Sequence, residues 1–597
     1  MNPTPFDIFV LPFTVGMSLL FAYLILKYAS WIWYFDRDDK LKILRGLFSL
    51  KSLKAAKEIF LESLIHRKMF LVNKRLGYMH MSLAFGWFLL IVIGAVEGHT
   101  YMGGAAPFYF PIFFVYFVPD DESFFFARGF VQLMDAALLL VLSGVVVAIV
   151  KRFYKRIVGM KSTTQLRLRD KMVLYSLWLI FPLRLFAESA TCGLHGSGGF
   201  LTGTVGSLMA ATLPLEAIEY PLWWAYSIDL CLFFIGLPFS RYMHIPTEMV
   251  LIFFKNWGIR LKPDNPILEE VMVLSCPRCG VCIDRCQLNT AVGNHNTQAV
   301  YFLQRIRNSE EHSAQAKNCL MCGRCESVCP VGIDLNAIRL RHRQNFTPET
   351  FVPQYDNAPA AKADVVYFTG CMGHLVPKTK DAMVKILDAS GDNYWFMDAD
   401  GGVCCGRPMK LAGQTAAAEK LMAKNRQSII DSGARTLVTS CPICYKVFRD
   451  DYNLDGIEVL HHTEYIKRLI DSGKIKVGKQ PLTVAYHDPC ELGRGAGIYA
   501  EPRAVLGAVA TLAPVPDECK NSLCCGGSLA NLTLPSTDKQ RIAQQTMASL
   551  TANHPDVVAT ACPLCKKTLN RTQMAPVEDI AELVAEGMKE RIGCVKD

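Results

Sequence analysis

Eighteen of the chain's 22 cysteines fall into four regular arrays, and no other feature of the 597 residues restricts the fold as tightly. The first two read Cys276-x2-Cys279-x2-Cys282-x3-Cys286 and Cys319-x2-Cys322-x2-Cys325-x3-Cys329-Pro330. The other two each run as a single Cys, then Cys-Cys-Gly, then Cys-Pro-x-Cys. One comprises Cys371, Cys404-Cys405-Gly406 and Cys441/Cys444; the other comprises Cys490, Cys524-Cys525-Gly526 and Cys562/Cys565. Such a count admits disulfides in an oxidising compartment or metal sites in a reducing one.

The front of the chain decides between them. Apolar stretches near 8–30, 78–98, 127–150, 171–190 and 219–240 are each about as long as a bilayer requires, roughly 20 residues. The loop 35–77 carries eleven Lys/Arg and 151–171 carries eight, whereas 99–127 and 191–240 carry none. This alternation predicts five spans in a prokaryotic inner membrane, with the N-terminus outside and everything after Arg241 in the cytoplasm. Met1–Asp7 has no basic residue, so the first stretch is a poor signal peptide. The arrays then lie in a reducing compartment and read as cluster ligands. Much of the net charge of +9 sits in the two membrane-flanking loops, which removes the cue for a nucleic-acid partner.

The expected architecture is multi-domain. Residues 1–256 form a five-helix transmembrane bundle, 262–345 an α-helical ferredoxin-type module, and 346–362 a Pro- and Ala-containing linker. Two α/β cysteine-rich domains follow at 363–480 and 481–597, and their cysteines recur at 119–121 positions, the mark of a duplication. Buried-strand runs precede the cysteines at Val365–Thr369, Thr436–Thr439, Leu482–Tyr486 and Val557–Thr560. Helical stretches such as Thr415–Ser432 and Thr537–Ala552 lie between them. This order predicts parallel sheets with ligands at the strand ends.

A pair of C-x2-C-x2-C-x3-C runs is the bacterial pattern for two [4Fe–4S] cubanes, the fourth cysteine of each run serving the other cluster. One cubane takes Cys276, Cys279, Cys282 and Cys329; the other takes Cys319, Cys322, Cys325 and Cys286. Zinc, the alternative, prefers two separate pairs. Gly280 and Gly323 stand where the chain reverses, and Gln287 replaces the proline expected after Cys286.

The motifs Phe368-Thr369-Gly370-Cys371, Cys404-Cys405-Gly406-Arg407-Pro408, Cys441-Pro442-Ile443-Cys444-Tyr445 and His487-Asp488-Pro489-Cys490 resemble the cysteine-rich domains of a known group. That group comprises heterodisulfide reductases, certain dehydrogenase iron–sulfur subunits and succinate:quinone reductase anchors. The resemblance implies a noncubane [4Fe–4S] cluster on each complete five-cysteine array, one or two in all. The surplus thiolate would open the cube. A structural or zinc-binding second array is the alternative. Arg407, Lys410, Arg494 and His487 are candidates for binding a thiol substrate, and Cys192, Cys231, Cys519 and Cys594 are spare.

Leu237-Pro238-Phe239-Ser240-Arg241-Tyr242-Met243-His244 and His80-Met81-Ser82-Leu83 resemble the cytochrome b subunit of respiratory nitrate reductases. The resemblance implies haem b between His80, beginning one span, and His244, ending another. The second histidine pair is replaced by Leu90 and Tyr226, while His99 and His195 offer a candidate second haem site. Asp135, Arg184 and Asp229 fall inside spans, with Glu97 and Glu188 near their outer ends; such groups face the bundle interior and mark functional paths. Tyr226, Arg184, Asp229 and Asp135 are therefore candidates for a quinone site, an Arg184–Asp229 pair that merely locks helices being the alternative.

Taken together, the chain resembles a one-piece membrane heterodisulfide reductase, and most resembles electron-transfer-flavoprotein:menaquinone oxidoreductases. The expected partners are the lipid bilayer, the menaquinone pool and a soluble flavoprotein or dehydrogenase. A quinol-dependent heterodisulfide reductase and an anchor and electron conduit for a separate dehydrogenase are the competing readings.

Overall fold

The computed structural model describes residues 5–593 except 121, 125, 263–264, 348–359, 402 and 532. Most of the 346–362 linker, and Cys594, therefore lie outside the described residues. Four helices, Val10–Tyr34, Lys74–Met102, Ala127–Phe153 and Leu168–His195, are long and apolar enough to cross a membrane. A fifth span exists if the bent pair Leu215–Gly236 and Arg241–Asn256 counts as one; its two limbs meet at 77°. The bend falls at Pro238, which has no N–H to continue the ladder. His244 therefore opens the helix His244–Asn256 after the bend, rather than closing the span before it.

Small residues let these helices approach closely. A side chain at Gly144 would run into Ser82 and Leu83, and one at Gly193 into the Gly206 backbone. The cation-rich loop after the first span folds into helices Arg37–Leu47, Leu50–Ile59 and Arg67–Val72, with a single π-turn at Phe60–Leu64. The chain forms two units, 1–280 and 281–597, so the first cysteine run is divided: Cys276 and Cys279 end one unit, and Cys282 and Cys286 begin the other.

In the second unit, short helices and the turns between them carry the remaining ferredoxin-type cysteines, and two four-stranded parallel sheets follow. The first contains β1 (Val365–Phe368), β2 (Tyr394–Phe396), β3 (Thr436–Thr439) and β4 (Glu458–His461), in the order β2-β1-β3-β4. The second contains β5 (Thr483–His487), β6 (Thr511–Ala513), β7 (Val557–Thr560) and β8 (Val577–Asp579), in the order β6-β5-β7-β8. The repeated order is the structural counterpart of the 119–121-residue period. Both sheets contribute to one apolar core, which joins Tyr367, Met383, Ile386 and Leu387 to Val484, Tyr486, Leu506, Ile580, Ala581, Leu583 and Val584.

Central strands β1, β3, β5 and β7 all deliver their cysteines just past their C-terminal ends, where open parallel sheets bind ligands. Cys441 and Cys562 sit at the N-caps of helices Pro442–Asp450 and Pro563–Asn570, with the motif proline at the first helical position. The glycine after each Cys-Cys pair is fixed by its backbone. Gly526 has φ +83°, and a Cβ there would lie 3.0 Å from the Lys539 carbonyl and 3.1 Å from Ile542. Gly526→Ala is expected to destabilise the full chain by roughly 1–3 kcal/mol, read as a lower thermal midpoint together with lost iron.

Candidate functional site

Unit 281–597 gathers three sets of thiols. Cys286, from the end of the first run, lies beside Cys319 and Cys322, and these lie beside Cys325. Those are the four expected for the second cubane. Burial pushes the Cys286 thiol up to about 12 and Cys325 well above the usual thiol range, so the thiolate form needs a cation in place of the proton. The surrounding chain supplies positive charge: Arg343, 1% exposed, donates to the carbonyls of Ala316, Lys317, Cys319 and Leu411 at 2.8–3.0 Å. Arg494 Nε donates to the Cys322 carbonyl at 2.7 Å. Guanidiniums buried on backbone carbonyls beside clustered thiols fit an anionic iron–sulfur cluster.

The turns explain the spacing. Met321 (φ +52°) and Gly323 (φ +73°) flank Cys322 in left-handed conformations, and Arg278 (φ +52°) and Gly280 (φ +90°) do the same at Cys279. Both glycines were legible in the sequence; the left-handed Arg278 and Met321 were not.

The five-cysteine arrays are complete in both halves. Thiols touch in the series Cys371–Cys404–Cys405–Cys444–Cys441, and again in Cys490–Cys524–Cys525–Cys565–Cys562. No cysteine among the described residues is in a disulfide, and a five-sulfur donor set fits a multi-iron cluster. The arrays differ in access: Cys371 is exposed and Cys490 half-buried.

Two further contacts join these sets. The Cys322 and Cys524 thiols touch, bringing the second cubane's ligands against the second array. Gln287, the residue that broke the proline pattern, clamps the same place: its Oε1 accepts from Cys524 N–H at 2.6 Å, and its Nε2 donates to the Cys524 carbonyl at 3.2 Å and Thr546 Oγ1 at 3.1 Å.

The proposed substrate-binding groups are engaged elsewhere. Lys410 pairs with Asp451 at 2.7 Å and Arg407 with Glu491 at 3.4 Å, while His487 is buried between Thr560 and the Leu523 carbonyl. Cys519 is held by its backbone, its N–H donating to Asp488 at 2.8 Å.

In unit 1–280 a cavity of about 380 Å³ is lined by His80 and His244 and also by His66, which sequence reasoning missed. His66 and His80 stack with ring centroids 5.2 Å apart and planes at 16°. His244 Nδ1–H donates to the Arg241 carbonyl at 2.7 Å, and His80 Nε2 is buried with no hydrogen-bond partner. Trp87, Trp178, Phe181, Phe233 and Phe234 wall the cavity, and Lys151, Arg152 and Arg241 add positive charge. Unpaired imidazole nitrogen, aromatic walls and cations suited to two propionates fit a haem.

Pro277 and Cys279 line the same cavity, and Lys151 Nζ donates to the Cys279 carbonyl at 3.5 Å. One acid holds this arrangement. Asp170, fully buried, accepts from Arg278 Nη1 at 2.5 Å and from Arg241 N–H at 2.9 Å. The cysteine loop and the bend before His244 thus share one carboxylate.

The opposite helix ends differ from expectation. Arg184 pairs with Glu188 at 2.9 Å, not with Asp229, whose Oδ2 has no partner. Tyr226 lies beside Arg184. Asp135 accepts from Leu201 N–H (2.7 Å), Thr202 N–H (3.0 Å) and Thr202 Oγ1 (2.9 Å), capping helix Thr202–Thr212. The cavity joining Glu97, Asp135, Arg184 and Glu188 holds only about 30 Å³, space for a water. His99 and His195 are exposed and line neither cavity.

With this geometry in hand, residues 365–449 and 484–570 both match the cysteine-rich domain family, and 275–334 match the 4Fe-4S dicluster domain. The chain is 28% identical over 385 residues to one component of the dihydromethanophenazine:CoB–CoM heterodisulfide reductase of Methanosarcina barkeri, covering 53% of this chain and 93% of that one. It belongs to the iron–sulfur oxidoreductases related to that component. An EtfAB:quinone oxidoreductase of Syntrophomonas wolfei is 22% identical over 486 residues, covering 62% and 68% of the two chains. A probable membrane-anchored ferredoxin of Chromohalobacter salexigens is 25% identical, covering 54% of this chain and 49% of its own.

Two substitutions test the joints of the site. Asp170→Asn leaves Arg278 buried without its counter-charge and is expected to cost about 3–5 kcal/mol, lowering the thermal midpoint along with any b-type absorbance. Gln287→Ala is expected to keep the iron content while altering the magnetic interaction between neighbouring centres seen by electron paramagnetic resonance.

Proposed function

We propose that this protein moves electrons between a soluble cytoplasmic redox partner, electron transfer flavoprotein, and the menaquinone pool. As a member of its family it is an iron–sulfur oxidoreductase acting in electron transfer. The observation that carries the fuller reading is the shared cavity: histidines suited to a haem and the first cysteine run form walls of the same space. The bound groups, haem b and [4Fe–4S] clusters, supply one-electron carriers. The chain's part is to fix their seats. His80 and His244 would hold the haem, Cys276, Cys279, Cys282 and Cys329 one cubane, and Cys319, Cys322, Cys325 and Cys286 the other. The two five-cysteine arrays would hold the remaining clusters. The Cys322–Cys524 contact and the Gln287 clamp keep the second cubane's ligands against the second array. The relative named EtfAB:quinone oxidoreductase supports both the flavoprotein and the quinone.

A second reading, reduction of a small disulfide, is favoured by one observation: Cys371 opens the first array to solvent. Reduced electron transfer flavoprotein and a dithiol, offered separately to the purified chain, separate the two, with the b-type bands as readout. Reduction by the flavoprotein alone, seen as growth of the α band, is expected; a response to the dithiol alone would favour the second reading. His80→Ala is expected to abolish the b-type spectrum while leaving iron near the wild-type level, about 16 per chain when all four arrays hold four irons.

A further inference from the structure

We propose that the cavity beside His80 and His244 also receives a quinone ring, with Glu248 as its proton-delivering group and Ser63 and His66 as its orienting partners. This rests on the electron-transfer reading above and locates its membrane substrate at the Cys279 end of the bundle, away from the Arg184–Tyr226 cluster.

Size separates the two places first. The cavity that would seat the haem, and at its edge the ring, holds about 380 Å³ against about 30 Å³ at the opposite helix ends. Access comes next. Phe88, Ile91 and Ile245 line the cavity yet are 38%, 49% and 37% exposed on the apolar outer surface of the bundle. An isoprenoid tail can enter between them without crossing water.

The polar wall supplies the chemistry. Glu248 lies one turn beyond His244 on the same helix face, lines the cavity, and is only 7% exposed. It forms no ion pair among the described residues. Its neighbours are Ser63, the Lys68 ammonium and the Glu62 carboxylate, itself engaged by Arg67. A carboxyl held in an apolar cavity without a counter-ion is costly, and in membrane proteins such groups mark proton or substrate paths. Ser63 Oγ lies buried against the Glu248 carboxyl, so the acid and a hydroxyl meet at one point of the cavity wall.

Backbone irregularity puts these groups in place. Ser63 sits in the π-turn Phe60–Leu64, and His66 adopts a left-handed conformation, φ +58°, with Nδ1–H donating to the Leu64 carbonyl at 3.2 Å. A π-turn and a non-glycine left-handed residue, three positions apart and facing one cavity, are the kind of local strain that functional sites retain.

The step balances simply. The quinone takes two electrons from the reduced flavoprotein and two protons from solvent. Glu248 passes each proton on and is reloaded, an O–H bond forms at each ring oxygen, and the quinol leaves by the lateral opening.

The test uses the detergent-solubilised full chain, with a hydroxyquinoline N-oxide as the quinone analogue and a short-chain naphthoquinone as acceptor. Glu248→Gln is expected to retain the b-type spectrum and iron content. It should weaken analogue binding or slow naphthoquinone reduction by roughly tenfold or more, the scale of one lost buried hydrogen bond. Ser63→Ala should weaken binding in the same direction, with the spectrum again unchanged. Wild-type binding and turnover in Glu248→Gln would overturn this site alone. So would loss of analogue binding in Arg184→Gln with Glu248→Gln intact, since that would move the ring to the other end. A wild-type chain that shows no b-type bands and binds no analogue would instead overturn the electron-transfer reading itself.

Discussion

The buried carboxylate of Asp170 is the interaction on which the first unit's function depends. It neutralises Arg278 inside the Cys-Pro-Arg-Cys turn and receives the Arg241 N–H at the bend that launches His244. Arg278 stands in a turn and Arg241 at the first position of a helix, where its N–H has no partner in the ladder. One anion with two donors ties two segments into one wall, and the energetic penalty for losing it is that of an uncompensated buried cation. The 380 Å³ cavity takes its shape from that wall.

The second unit solves the related problem of holding many acidic sulfurs in little volume. Strand ends place the cysteines, helix N-termini face them, and guanidiniums spend their donors on carbonyls beside them. Arg343 and Arg494 therefore stabilise local backbone and offset negative charge at once. Arg407 and Lys410 are tied to Glu491 and Asp451, and Arg494 to backbone carbonyls, while Arg407 Nε and Arg494 Nη2 are left without a partner among the described residues.

Much of this was legible in the sequence, for physical reasons that differ by element. β3 and β7 were read to the residue because short apolar runs, bounded by a turn on one side and Cys-Pro on the other, admit one assignment. All five long apolar stretches became helices, since length and composition alone dictate that. The failures share a cause: the deciding partner is far away. Gln287 was visible as a departure from pattern, but its partner Cys524 lies 237 positions on. Arg184 chose Glu188, one turn ahead, over Asp229 on another helix. His66 was hidden in a basic loop whose π-turn no periodicity announces. Asp170 stood out only as a single acid among eight cations in its loop.

The shared core of the two cysteine-rich halves carries a consequence for the chain's end. Glu582, from the last described helix, joins Lys566 of its own half to Thr379 of the other, and His462 faces Asp579 across the seam at 3.0 Å. The helix Ile580–Gly593 covers Met383, Ile386 and Leu387 of the first half. The duplicated domains are thus reciprocal rather than serial: a ribosome that stalls before residue 580 leaves the apolar face of the earlier half uncovered.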